Sequence, residues 1–382
     1  MPTYPGKAHD ELRRQYADFA RSHLNHDISA RSREGRFDSS AWKKCGELLI
    51  HGLPVPTCHG GRGLDALETV MALEGLGYGC EDGGLAFAIG AQLFACTVPI
   101  WLYGSEAQKA QYLPGLCRGE IIATNAMTEA EGGSAAFQMR CTGERKNDAY
   151  HLSGVKTYCA NAPVSTLCLT YVLTDVSKGF TGGVTAFLLD RVKHGYLVCA
   201  EVDKLGLRTC TTGMIALNGV VAQESDALAR PGGGGPIFNR SMEWERIGLS
   251  AINVGTMSRL LERAIGYARR RKPAGKSISR NQAISHPLAD LQTDLQACRL
   301  MVYHAAAGLA EGRNLRDEAS QTKLFVSERF KSMTLKLMQI YAGAGYEADS
   351  EIGRVLQDSI ASTIYSGTSE IQRNIIARWM GC

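Results

Sequence analysis

The chain has 382 residues, 45% hydrophobic and 21% charged, with a formal net charge of +4. That length exceeds one simple core and calls for two or three domains of globular composition. The weak positive balance is dispersed along the chain, which excludes a nucleic-acid binder and leaves room for an acidic or phosphate-bearing partner.

Residues 1–124 read as helical. The opening MPTYPGKAHDELRRQYADFARSHL is charged and amphipathic, with Leu12, Tyr16, Phe19 and Ala20 at helix spacing. Helices follow at Ala41–Leu49, Ala66–Leu76 and Glu106–Leu113, the first two separated by the turn-rich PTCHGGRGLD. Over 125–229 the period changes to two. In STLCLTYVLTD, Leu167, Leu169, Tyr171 and Leu173 face one way and Cys168, Thr170 and Val172 the other. AYHLSGVKTYCAN, GGVTAFLLDR and MIALNGVVAQ read as further strands, so the middle domain is β-rich. Over 230–382 long helices return. Leu260, Ala264 and Ala268 form one stripe. Leu288, Leu291, Leu295, Cys298, Val302, Ala305 and Leu309 form a second, stopped by Gly312, and Val326, Phe330, Met333, Leu337 and Tyr341 a third. Apolar stripes on several long helices predict an antiparallel bundle. The glycines Gly232–Gly235 read as a flexible connection, since no Lys-Ser/Thr follows them.

Twelve cysteines lie scattered, without a CxxC pair or zinc spacing, and read as small core thiols in a reducing cytoplasm, with no metal site. No signal-peptide run is expected at the N-terminus, and no stretch is expected to be long and apolar enough to cross a membrane.

Several short motifs share one order. They are VPTCHGGRGLD, ATNAMTEAEGGSA (Ala123–Ala135), KTYCANAP (Lys156–Pro163), RRKPAGKSISRNQAI (Arg270–Ile284), QIYAGAGY (Gln339–Tyr346) and IYSGTSEIQRNIIARWMG (Ile364–Gly381). Together they resemble the acyl-CoA dehydrogenases along essentially the whole chain. GGGGPIFNRSMEWERIGLSA (Gly232–Ala251) resembles a branch of that family that works in natural-product biosynthesis on acyl groups tethered to a carrier protein. The resemblance implies an α+β architecture: a helical N-terminal domain, a β-barrel-like middle domain and a C-terminal four-helix bundle. It also implies an FAD-dependent dehydrogenation of an acyl thioester, on CoA or on an acyl carrier protein. The α-proton goes to a base, a hydride passes from the β-carbon to flavin N5, and an external acceptor reoxidises the flavin. Thr128 and Tyr158 would lie beside the flavin ring, Ser134 near the pyrophosphate, and Thr368 and Glu370 along the cofactor. Arg271, Gln282, Gln339 and Gly343 would reach the FAD of a neighbouring subunit in a homodimer or homotetramer. A guanidinium suits the pyrophosphate because its fork of donors stays charged. The chain departs from the family pattern at Tyr158, where tryptophan is usual, at Ala160, where a hydroxyl is usual, and at Ala274, where phenylalanine is usual.

The departure that matters most is Ser366, which stands where many members carry the glutamate base. In the isovaleryl and long-chain members that glutamate sits at the start of a core helix, followed by arginine. The segment MEWERIGLSA places Glu245 and Arg246 there, so the resemblance implies that the base has moved to Glu245, with Ser366 and Arg246 at the substrate. Without the resemblance, Glu245 reads as an N-terminal helix carboxylate held by the helix dipole, and Glu243 is a rival two residues away. Two further readings stay open: a flavin monooxygenase, motivated by Ala160, and a non-redox binding protein that kept the fold.

Overall fold

The computed structural model describes residues 6–382; the first five residues of the N-terminal segment lie outside the described part. Seven helices come first: α1 (Lys7–His23), α2 (Ile28–Glu34), α3 (Ser39–Glu47), α4 (Ala66–Gly79), α5 (Gly83–Gln92), α6 (Val98–Tyr103) and α7 (Glu106–Cys117). Asp38, Asp65, Asp82 and Ser105 cap α3, α4, α5 and α7 by accepting first-turn backbone N–H groups. Between α5 and α6, a π-helical turn at Leu93–Thr97 makes Gly83–Tyr103 one continuous helix.

That helix corrects the membrane expectation. By length and composition it is apolar enough to span a bilayer, but 78% of its apolar window is buried inside the fold. It is a core helix, packed on α10 (Gly234–Arg270). Glycines permit the contact. A Cβ at Gly248 would stand 2.1 Å from the Phe94 ring, and one at Gly90 would stand 2.6 Å from Leu249 Cδ2.

The middle region is a curled seven-stranded sheet. Its strands are β1 (Ala123–Ala126), β2 (Thr142–Lys146), β3 (Ala149–Ala160), β4 (Leu167–Leu173), β5 (Val184–Asp190), β6 (Leu197–Glu201) and β7 (Thr212–Gln223). One wing pairs β1 parallel and β5 antiparallel with β4. The other runs β2-β3-β7-β6, all antiparallel. The wings join where Thr142 meets Leu173. The period-two reading of β4 sorts its side chains into two cores: Leu167, Leu169 and Tyr171 pack in one cluster, Cys168 and Val172 in another. Two short helices, α8 (Gly179–Gly183) and α9 (Arg191–His194), flank β5.

The chain then enters α10, α11 (Gln282–Ala310) and α12 (Arg316–Tyr341), followed by the shorter α13 (Glu351–Ser362) and α14 (Ser369–Trp379). The second stripe is buried throughout, and the third is buried up to Leu337. Gly232–Gly235 is no flexible connection: Gly234 and Gly235 open α10, and a Cβ at Gly234 would meet the Val184 carbonyl at 2.9 Å. This glycine entry seats the helix directly against β5.

Candidate active site

Glu245 lies eleven residues past Gly234, three turns inside α10. It is therefore neither at the start of its helix nor within reach of the helix dipole, which acts over the first turn. Its side chain is 8% exposed. Glu243 points elsewhere and pairs with Arg240 at 2.5 Å.

The partner of Glu245 is Ser366, whose hydroxyl donates to Glu245 Oε1 at 2.5 Å. Ser366 sits in the turn before α14 with φ 56, followed by Gly367 with φ 90. A left-handed serine is uncommon, and three side chains hold it. Arg246 Nε donates to the Ser366 carbonyl at 3.2 Å. Gln372 Nε2 donates to the Ser366 and Gly367 carbonyls. Lys323 Nζ donates to the Gly367 carbonyl at 2.8 Å. Arg246 is anchored in turn by Nη1 on Ser320 Oγ at 3.3 Å.

The electrostatics suit a base near neutrality. Burial raises Glu245 to about 7, against the Ser366 hydrogen bond and the charges of Arg246 and Lys323, which pull it down. Burial, followed by the neighbouring Arg246, lowers Lys323 to about 7. Burial also brings Arg246 down to about 10. Lys323 was not anticipated from the sequence: a single lysine on an amphipathic helix reads as a surface residue, and only the fold turns it inward.

On the sheet side, Thr128 follows β1 half-buried, and its carbonyl accepts from Thr157 N at 2.8 Å. The loop beyond it is tied to β3 by a buried pair that sequence reading also missed. Lys156, fully buried, donates to Glu129 Oε1 at 2.8 Å and to the Met127 carbonyl. Burial alone would raise the Glu129 carboxyl, but its bonds to Lys156 and to the Arg140 and Cys141 amides lower it on balance. Beside this pair β3 has a register shift between Lys156 and Cys159. There Tyr158 takes φ 54 and presents its ring 66% exposed.

These residues fit FAD. The large aromatic ring of Tyr158 stands uncovered next in sequence to Thr157, which bonds the Thr128 carbonyl and whose Oγ1 is buried with no hydrogen-bond partner. A Cβ at Gly133 would fall 3.8 Å from Thr128 Cγ2, in the space that side chain faces. Ser134 is exposed on the same loop. The Ala160 carbonyl accepts from Thr124 Oγ1 at 2.8 Å. Thr368 caps α14 by accepting from Ile371 N, and Glu370 is exposed beside Arg373.

The remaining expected cofactor residues lie elsewhere. Arg271, Gln282, Gln339 and Gly343 are all exposed, at the end of α10, the start of α11, the end of α12 and just beyond it. Antiparallel running brings them to one end of the bundle. Arg271 is 26 residues from Glu245, about 39 Å along a straight helix. They do not share the cleft of their own Glu245. A surface groove of about 1150 Å³ between α1 and α10 is also remote from Glu245. Its arginines are mostly committed to ion pairs, such as Arg299–Glu74 and Arg263–Glu81.

Comparison with known proteins identifies the family. Residues 6–120, 124–220 and 232–381 match the acyl-CoA dehydrogenase N-terminal, middle and C-terminal domains in turn. An L-prolyl-[peptidyl-carrier protein] dehydrogenase of Pseudomonas fluorescens is 37% identical over 343 residues, 90% of each chain. The crystal structure of the prolyl acyl carrier protein oxidase AnaB superposes with a TM-score of 0.97 at 37% identity, covering 99% of this chain and all of the other. PigA with FAD and proline superposes at 0.96 and 34% identity, covering 100% and 99%. The chain belongs to the acyl-CoA dehydrogenase family and is an FAD-dependent oxidoreductase of acyl thioesters.

Proposed function

We propose that Glu245 is the base that removes the α-proton of an acyl thioester carried on the phosphopantetheine arm of a carrier protein, in secondary metabolism. The observation that carries this reading is the contact between buried Glu245 and Ser366, the residue that occupies the family's usual base position. Here the serine orients the relocated carboxylate instead of replacing it. A carboxylate titrating near 7 is half ionised at neutral pH, where a general base transfers protons most effectively. Glu245 takes the proton on a carboxylate oxygen. Arg246 and Lys323 hold the Ser366–Gly367 turn and supply positive charge beside the site. The apolar packing of α5 against α10 keeps water away from the carboxylate. Thr128, Ser134, Tyr158, Thr368 and Glu370 would hold FAD, which when bound supplies the two-electron acceptor. Carrier linkage is supported by the relatives that act on prolyl-carrier protein thioesters.

The set Arg271, Gln282, Gln339 and Gly343, too far from its own Glu245 to hold the same cofactor, would serve a neighbouring subunit in a homodimer or homotetramer. All twelve cysteines are free thiols, which suits a reducing cytoplasm. A separate flavin reoxidant completes the cycle.

The test is Glu245→Gln. The variant should keep the flavin spectrum and lose substrate-dependent bleaching by about 10³-fold, the scale of a missing general base. Undiminished bleaching would remove Glu245 from the mechanism.

A further inference from the structure

We infer that the acyl pocket is closed just beyond the reacting carbons by the tilted, packed rings of Phe87 and Tyr365, so that the enzyme takes a short, compact acyl unit and rejects long straight chains. This rests on the thioester reading of the Glu245 site.

The face of α10 that carries Glu245 continues through Leu249 to Asn253, at steps of four, so Asn253 lies about 12 Å farther along the helix. Tyr365 directly precedes Ser366, and its hydroxyl lies within the electrostatic reach of both Glu245 and Asp358. Phe87 meets it with ring centroids 4.8 Å apart. Leu249 closes the third side against Gly90 of α5.

Behind this barrier is a cavity of about 30 Å³, bordered by Leu249, Asn253, Thr256, Asp358, Phe87 and Tyr365. That is room for about one water and no chain. Its floor is polar. Asn253 Nδ2 donates to the Tyr365 hydroxyl at 3.1 Å. Asp358 accepts from Leu207 N at 2.5 Å, and burial raises its carboxyl to about 7. A methylene chain pushed through would have to part the two rings and would find no room beyond them. The barrier is therefore steric.

The test is the bleaching rate of the FAD-loaded protein with butanoyl, isovaleryl and octanoyl thioesters, each on CoA and on phosphopantetheine. The wild type should bleach with the two short acyl groups and at least about tenfold more slowly with octanoyl, the discrimination a filled pocket achieves. Phe87→Ala should join the cavity to the site and shift the octanoyl-to-butanoyl ratio upward by about tenfold or more. Leu249→Ala should do so as well if Phe87→Ala does not fold. Equal wild-type rates for short and long chains would overturn the inference. So would an FAD-loaded Phe87→Ala or Leu249→Ala protein with an unchanged ratio. No bleaching by any thioester would instead remove the underlying thioester reading, and the inference with it.

Discussion

The hydrogen bond from Ser366 to Glu245 makes the proposed base a tunable group. It stabilises the carboxylate, as do the charges of Arg246 and Lys323, while burial opposes all three. The active form is the deprotonated one, so activity should rise with pH through about 7. Ser366→Ala removes one stabilising bond and should move that inflection upward, with the largest loss of kcat/KM near pH 6. Lys323→Met should act in the same direction, and it also frees the Gly367 carbonyl. A pH–rate profile unchanged in both variants would mean that neither residue acts on the base. Stability carries the opposite sign. The folded carboxyl lies above its unfolded value, so the folded state holds its proton to higher pH. That contribution is present below about 4.5 and is lost as pH rises through about 7. Denaturation at pH 8 should therefore find Glu245→Gln more stable than the wild type, by up to about 3 kcal/mol, with the gap closing towards pH 4.5. A gap constant with pH would refute the raised value.

Among the elements, the sheet and the Thr128 loop are joined by the Lys156–Glu129 pair, with Lys156 fully buried. Removing one partner leaves the other with its backbone hydrogen bonds but no counter-charge, at a cost of up to about 3–5 kcal/mol. Lys156→Met should therefore lower the denaturation midpoint and weaken FAD retention together, whereas the double variant Lys156→Met/Glu129→Gln should recover part of the stability. The pair was not legible in the linear chain because its members are 27 positions apart, on a loop and a strand. The stripes of α11 and α12 and the alternation in β4 were legible, since each repeats one physical period many times. Gly83–Tyr103 was missed because a helix buried on nearly all sides has no polar face to mark a period. The glycines at 232–235 misled for a related reason: close packing and flexibility both call for glycine, and only the fold tells them apart. Glu245 stood out as a candidate because its neighbours MEWERIGLSA carry a family pattern; its distance of 121 positions from Ser366 hid the contact between the two.

At the scale of the whole molecule, the length of α10 sets a constraint. Glu245 near one end and Arg271 at the other stand about 39 Å apart, farther than one dinucleotide spans. If both act on FAD, each active site takes its base from one subunit and its arginine from another. This predicts complementation. Glu245→Gln alone lacks a base in every site, and Arg271→Ala alone lacks the guanidinium in every site. In mixed oligomers, a site that draws Glu245 from the Arg271→Ala chain and Arg271 from the Glu245→Gln chain is wild type. Random assortment puts about a quarter of the sites in that state. Co-expression of the two variants should therefore restore thioester-dependent bleaching well above either variant alone, with FAD content rising in parallel. If each chain instead bound FAD with its own Arg271, every site would keep one defect, and the mixture would show only the average of its two inactive parents.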